Sequence, residues 1–298
     1  MARGMYVNIS NQVRKVAKCF IGVGGATRKV KKIYIGVNGV PRLAWKGAVP
    51  AGQIVFTSSQ TWMVPIGVTS ITVFLVGGGS SGSYYPVTNG SDEAYSGGGG
   101  GGGYTITQVV SVTPGQAISV IVGAGGLSNT WRGNGGGNSA FGSIVVTGGA
   151  QLQQGSPKGS AGGSGGGGGA HYNRAIAGAG GSDGSNGSDG GTSYWGRGYG
   201  GAGQGTTTRA FENASGTIYA GGGGGGRERI GVIGQALGGA GGGGNGCGSN
   251  GSSLIVSTAG TPNTGGGGGG GGCDSFNEII NYGADGGSGI VIVKWAEQ

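Results

Sequence analysis

The chain has 298 residues, of which 85 are glycine and 7 proline; 35% are hydrophobic, 9% are charged, and the net charge is +8. So much glycine excludes a conventional side-chain core along most of the chain and raises the question of low-complexity disorder. Against disorder stand 5 Trp, 11 Tyr and 6 Phe with little charge, the reverse of a solvated, self-repelling tail.

The basic residues sit at the front. Arg3, Arg14, Lys15, Lys18, Arg28, Lys29, Lys31, Lys32, Arg42 and Lys46 fall within residues 1–48, which hold no Asp or Glu. The same region repeats three times with a period of 14. Tyr6-Val7-Asn8-Ile9 aligns with Phe20-Ile21-Gly22-Val23 and Tyr34-Ile35-Gly36-Val37, and Val13-Arg14-Lys15-Val16 aligns with Thr27-Arg28-Lys29-Val30 and Pro41-Arg42-Leu43-Ala44. Each unit alternates apolar and polar residues around a turn signal (Asn11, Gly24-Gly25, Asn38-Gly39), the pattern of a β-hairpin. Three hairpins bury little by themselves, so residues 1–48 read as a basic attachment module that needs a partner, joined on by a linker at 47–52. Cations in strand-like repeats rather than on a recognition helix do not point to nucleic acid.

Residues 49–123 form a β-rich region. Strands are expected at Ile71–Val76, Tyr104–Thr107 and Ile118–Val122, with another at Ile144–Val146. The strongest β-run, Ile290–Trp295, lies within the last segment, 290–298, and is expected to return and pair with the early strands. No 3.6-residue apolar periodicity appears, and glycine disfavours helix interiors by about 1 kcal/mol per residue. No uninterrupted apolar run is long enough to span a bilayer, and the N-terminus holds no apolar signal segment, so synthesis in the cytosol without membrane insertion is expected. Cys19, Cys247 and Cys273 are expected to be free thiols.

Between 124 and 289 the glycines come in blocks, such as Gly221–Gly226 and Gly265–Gly272, as does Gly97–Gly103 before them. Such blocks have no side chains to bury, yet their backbone groups must be paired. A polyproline II-like helix has three residues per turn, rises about 3.1 Å per residue and makes no internal hydrogen bonds, so it pairs sideways with other rods. An outer rod then needs glycine only every third residue, as in Gly181-Ser182-Asp183-Gly184-Ser185-Asn186-Gly187-Ser188-Asp189-Gly190. An enclosed rod needs nearly pure glycine, as in Gly265–Gly272. The expected fold is all-β and irregular: hairpin repeats, a small β-core, and a bundle of polyglycine II rods displaying loops, with essentially no α-helix.

The basic module, the apolar strand ending in Val76-Gly77-Gly78-Gly79, the glycine blocks separated by varied segments, and the closing Gly286-Gly287-Ser288-Gly289-Ile290-Val291-Ile292-Val293-Lys294-Trp295 together resemble the glycine-rich adhesins at the tips of tailed-phage fibres, built on a polyglycine II sandwich. The resemblance covers roughly residues 53–298; the 14-residue repeats look instead like those of tail-associated proteins of phages infecting Gram-positive bacteria. It implies a virion tail-tip protein, assembled in the host cytoplasm, that attaches through residues 1–48 to a tail-fibre or baseplate protein and binds a host-surface glycan or protein. Tyr6, Phe20, Tyr34, Arg14, Arg28 and Arg42 are the attachment residues on this reading. A homotrimer and a single cap on a trimeric fibre are both compatible with three repeats.

In such adhesins the rods are constant and the loops carry specificity. Carried over here, the receptor-binding candidates are Tyr84, Tyr85, Tyr95, Trp131, Arg132, His171, Tyr172, Arg174, Tyr194, Trp195, Phe211, Phe276 and Tyr282, with Arg227 in a further loop. Rigid aromatics with adaptable polar neighbours dominate recognition surfaces generally. The competing role for any one aromatic is to plug the end of the bundle. A fibre-tip cap without receptor contact is the alternative function. No enzyme is expected: His171 is the only histidine, and no nucleophile–base–acid set can be placed. No cofactor or metal site is expected; the spacing of Asp183, Asn186 and Asp189 fits no calcium loop.

Overall fold

The computed structural model describes residues 6–9, 12–15, 19–23, 26–37, 40–46, 49–84, 96–128, 132–152, 157–170, 184–190, 207–227, 233–274 and 279–298. It is all-β, with no α-helix among these residues.

The N-terminal region forms three antiparallel hairpins: β1 (Tyr6–Ile9) with β2 (Gln12–Lys15), β3 (Cys19–Val23) with β4 (Ala26–Val30), and β5 (Lys32–Val37) with β6 (Val40–Lys46). Their registers repeat along with the sequence. Tyr6 pairs with Lys15, Phe20 with Lys29 and Tyr34 with Leu43. The period of 14 is therefore a period of the hydrogen-bonded structure. Each hairpin is a separate two-stranded sheet.

The β-core is a sandwich. One sheet has the order β10–β9–β19–β7, from β7 (Gly52–Phe56), β9 (Ser70–Val76), β10 (Thr105–Ser111) and β19 (Ile290–Trp295); the other has the order β13–β12–β11–β8, from β8 (Gln60–Met63), β11 (Ala117–Ile121), β12 (Ser139–Phe141) and β13 (Ile144–Val146). The late strand does return, and it lies between β9 and β7, two of the earliest strands of the sandwich. Burial on both faces explains the unbroken apolar runs Val73–Val76 in β9 and Ile290–Val293 in β19. Ile71, Val73, Leu75, Val291 and Val293 face the second sheet's Ile118, Val120, Phe141 and Val146. Phe74, Val76, Ile290 and Ile292 belong to a second core, closed by Phe211, Tyr219 and Ala220. A strand buried on both faces has no polar positions to alternate with. Trp62 ties the main core together, its ring 6.5 Å from Phe56, 5.8 Å from Phe141 and 6.2 Å from Trp295.

Six strands of the sandwich continue directly into rods. β9 runs into 77–84, β11 into 123–127 and β13 into 147–152, while the rods at 96–103, 133–138 and 282–289 lead into β10, β12 and β19. Packed sheets stand about 10 Å apart because side chains fill the gap. Where the side chains stop, the backbones close: the Gly78 N–H donates to Gly137 O at 2.9 Å, joining the extension of β9 to that of β12.

The rods pair with a period of three. Along 77–84, the N–H groups of Gly77, Ser80 and Ser83 donate to Tyr104, Gly101 and Gly98; those of Gly78 and Ser81 to Gly137 and Asn134; those of Gly79 and Gly82 to Gly287 and Ala284. One residue in three faces each neighbour, the geometry of a three-residue-per-turn rod. Gly265–Gly272, the expected interior rod, is buried throughout. Its amides and carbonyls bond the rods at 77–84, 96–103, 219–227, 243–247, 256–261 and 282–289, as an interior rod should. The outer rod follows its own expectation where it is described. A Cβ on Gly184 or Gly187 would strike Gly163 O or Gly166 O, while Asn186, Ser188 and Asp189 are exposed.

Candidate functional site

The lattice has two unlike ends. The sandwich closes one. The other lies at the far termini of the rods, near Tyr84, Ser96, Leu127, Leu152, Ala170, Arg227, Cys247, Gly272 and Tyr282. Antiparallel pairing sets this arrangement: Gly77 sits beside Tyr104 next to the sheets, and Ser83 beside Gly98 at the far end. Two short sheets also lie there: β14 (Gly234–Gln235), β15 (Gly248–Ser249) and β16 (Leu254–Ile255) form one, and β17 (Gly272–Asp274) with β18 (Ile279–Asn281) the other.

Of the receptor-binding candidates, Tyr84, Arg132, Phe211 and Tyr282 are described. Tyr84 is 3% exposed and packs edge-on to Tyr282, ring centroids 5.2 Å apart. Tyr282 itself is 51% exposed. The pair is thus a buried ring supporting an exposed one at the far end. Arg132 is exposed, one residue before the rod that begins at Gly133. Phe211 sits elsewhere. It lies in a single 3-10 turn, Ala210–Glu212, at the sandwich end, 5.9 Å from the Phe74 ring, with Lys294 Nζ 3.7 Å above its own ring. Phe211 and Glu212 both hold left-handed backbone, φ 56° and 55°, a conformation that non-glycine residues adopt at a cost of order 1 kcal/mol or more each. The ring, partly buried, packs against the second core.

Tyr85, Tyr95, Trp131, His171, Tyr172, Arg174, Tyr194, Trp195 and Phe276 lie outside the described residues, but the rods that flank them are described. Residues 85–95, 129–131 and 275–278 each connect two positions at the far end, whereas 171–183 and 191–206 leave from the far end and rejoin the fold nearer the sandwich. Among the attachment residues, Phe20 and Tyr34 are 54% and 53% exposed at equivalent places in their hairpins. Tyr6, Arg14, Arg28 and Arg42 are placed by strand register alone.

Three features escaped the sequence reading. Arg227, expected in a display loop, is 1% exposed. Its N–H donates to Cys247 Sγ at 3.1 Å, the thiol donates back to Arg227 O at 2.9 Å, and Nη1 donates to Gly234 O at 3.4 Å. The guanidinium thus ties the last residue of one rod to β14. Cys19 is a free thiol. Buried serines form the second feature. Ser139 Oγ donates to Val76 O at 2.7 Å and accepts from Gly123 N at 2.9 Å, and Ser80 Oγ accepts from Gly101 N at 2.8 Å. A serine in a glycine block looks like an interruption, but its hydroxyl bridges rods where direct pairing fails. Third, Gln298 holds the sandwich end: its backbone exchanges hydrogen bonds with Val49, and its Oε1 accepts from Thr69 N and Ser70 N. Among the described residues no His, Cys, Asp or Glu cluster could hold a metal ion, and no helix is long and apolar enough to cross a membrane.

The geometry defines a class: an all-β glycine-rich scaffold in which backbone pairs with backbone. The chain belongs to the glycine-rich domain family, which it matches over residues 55–296, from within β7 to the residue after β19. No curated protein matches it.

Proposed function

We propose that this protein is a receptor-binding tip protein of a tailed phage or phage-like particle. Residues 1–48 attach it to a fibre or baseplate protein, and the segments at the far end of the lattice bind a glycan or protein on the host surface. The observation that carries this reading is the separation of two ends. The sandwich end is sealed by the Val49–Gln298 exchange and lies next to the attachment module in sequence. At the far end 85–95, 129–131 and 275–278 begin and finish, and 171–183 and 191–206 begin. A lattice without side chains is stiff, because each rod is bonded to several others, and it is indifferent to the sequence of what it displays. Rigid support lowers the ordering cost that a binding loop otherwise carries. The exposed Tyr282 ring, braced by Tyr84, is an anchor of the kind that dominates binding surfaces. Nothing in this scheme requires catalysis.

The test is binding of the purified full chain to host cells, with the far-end segments replaced one at a time by those of a related protein. Exchange of 85–95, 171–177 or 275–278 should change which cells are bound while the circular dichroism spectrum stays the same. Host binding that survives every exchange would leave the protein as a fibre-tip cap without receptor contact.

A further inference from the structure

We propose that the three N-terminal hairpins bind an acidic, extended segment of a partner polypeptide rather than further copies of this chain. This names the chemistry of the attachment partner and rests on the division of labour proposed above.

Charge is the first argument. The module carries ten cations and no acid, and six of the ten fall on two complete 14-residue rows, Arg14/Arg28/Arg42 and Lys18/Lys32/Lys46. The register repeats the first row structurally: Val7 lies opposite Arg14, Ile21 opposite Arg28 and Ile35 opposite Arg42. At the open end of the third hairpin Lys32 lies directly opposite Lys46, and Lys31 and Lys32 are exposed. Like charges facing each other across a ladder destabilise it, so an anion placed between them stabilises the hairpin as it binds. Interleaving the hairpins of several copies would gather still more positive charge, and the rest of the chain, with a small excess of acid, is too weakly charged to neutralise it.

Shape is the second argument. In a two-stranded sheet both strands are edges, and each hairpin pairs only within itself among the described residues. Open edges accept an added strand, whose main chain completes the ladder while its side chains read alternate positions. Phe20 and Tyr34, exposed at equivalent positions, pair with Lys29 and Leu43, one register position from the Arg28 and Arg42 pairs, so the rings and the arginine row fall on opposite faces of each hairpin, as the two kinds of side chain of an alternating strand do. An extended polypeptide alternating acidic and apolar residues satisfies ladder, ring and cation together. A nucleic acid satisfies the cations alone.

The experiment is fluorescence anisotropy of the full chain with a labelled alternating Glu–Val peptide, against an alternating Lys–Val peptide and a single-stranded oligonucleotide of the same charge as the Glu–Val probe. The Glu–Val peptide should bind, and its affinity should fall about tenfold or more between roughly 0.05 and 0.5 M salt. The triple variant Arg14→Glu, Arg28→Glu, Arg42→Glu should lose a similar factor. Should that variant fail to form its hairpins, Lys31→Gln with Lys32→Gln, which removes two exposed charges and relieves the Lys32–Lys46 pair, should still weaken the peptide about threefold. Unchanged peptide affinity in these variants overturns the proposal, as does tighter binding of the oligonucleotide or a homotrimer that sedimentation shows to depend on these hairpins. Failure of the wild-type chain to bind host cells would sink the receptor reading and leave this one standing.

Discussion

Gly267→Ala tests the lattice most directly. Gly267 sits in the interior rod, where a Cβ would lie 2.0 Å from Gly100 O, 2.5 Å from Gly100 C and 2.9 Å from Gly223 N. A relaxed carbon–oxygen contact is about 3.3 Å or longer, so one rod must retreat by roughly 1 Å. The contacting atoms are backbone held on several sides and cannot rotate away. The hydrogen bonds at risk are Gly267 N to Gly221 O at 2.8 Å, Gly100 N to Gly268 O at 2.8 Å and Gly223 N to Gly100 O at 2.7 Å. Leaving a buried amide or carbonyl unpaired costs about 1–3 kcal/mol, so losing even two of the three costs about 2–6 kcal/mol. The opposing term is the smaller conformational freedom of alanine in the unfolded chain, about 0.4–1 kcal/mol in favour of the variant. The clash wins, and Tm should fall by roughly 5–15 °C at the usual few degrees per kcal/mol for a domain of this size. Ser188→Ala, at an exposed position of the outer rod, is the control and should stay within about 0.5 kcal/mol of wild type. Differential scanning calorimetry reads both. A Gly267→Ala protein that melts at or above the wild-type temperature would show that the rods do not pack as described.

Ser139→Ala removes a hydroxyl that bridges Val76 O and Gly123 N and should destabilise the domain by about 2 kcal/mol in urea denaturation. Phe211→Ala should lower stability by about 2 kcal/mol, through lost apolar burial and the lost Lys294 contact, yet leave host-cell binding unchanged. Tyr282→Ala should do the reverse. Loss of cell binding in the Phe211 variant at full stability would return that residue to the recognition surface. Burial raises the Tyr219 pKa above its ordinary value of 10.0. The neutral phenol is therefore favoured in the folded state, a contribution fully present below about pH 10 and lost as the pH rises through the folded pKa. Ultraviolet titration of the native protein should show a phenol ionisation later than that of exposed tyrosines, and Tyr219→Phe should reduce its amplitude.

Much of the architecture was legible because it is periodic. The 14-residue repeat fixes the three hairpin registers, since the spacing that aligns Tyr6, Phe20 and Tyr34 also aligns their cross-strand partners. The contrast between Gly265–Gly272 and the glycine-every-third run at 184–190 separates inner from outer rods. Ile290–Trp295 announces a central strand because its first four residues, Ile290–Val293, have none of the polar positions of a half-exposed one. The neighbours of each rod were not legible. Side chains normally encode which element packs on which, and glycine has none, so the order of rods is inherited from the six sandwich strands that run into them. The candidate site was legible only as a set of intervals between blocks. Phe211 lies in such an interval but at the sandwich end, and the direction of each rod, which decides the end, appears only once the strands are paired. Arg227 follows six glycines and resembles the first residue of a loop. Its burial depends on Cys247 and Gly234, whose nearness no local pattern reveals.

The mutual hydrogen bonds of Val49 and Gln298 have a mechanical meaning. On the proposed reading, with the base held and the tip bound to a cell, load would pass between residue 49 and the far ends of the rods. That load runs along β7, whose ladder to β19 is then sheared rather than peeled, so its bonds resist together instead of failing one by one. The same direction runs along the rods, where force reaching one of them spreads sideways through amides on several neighbours. On that reading, a pull along the length of the fold is shared by the lattice and concentrated where a single strand enters it, at Val49.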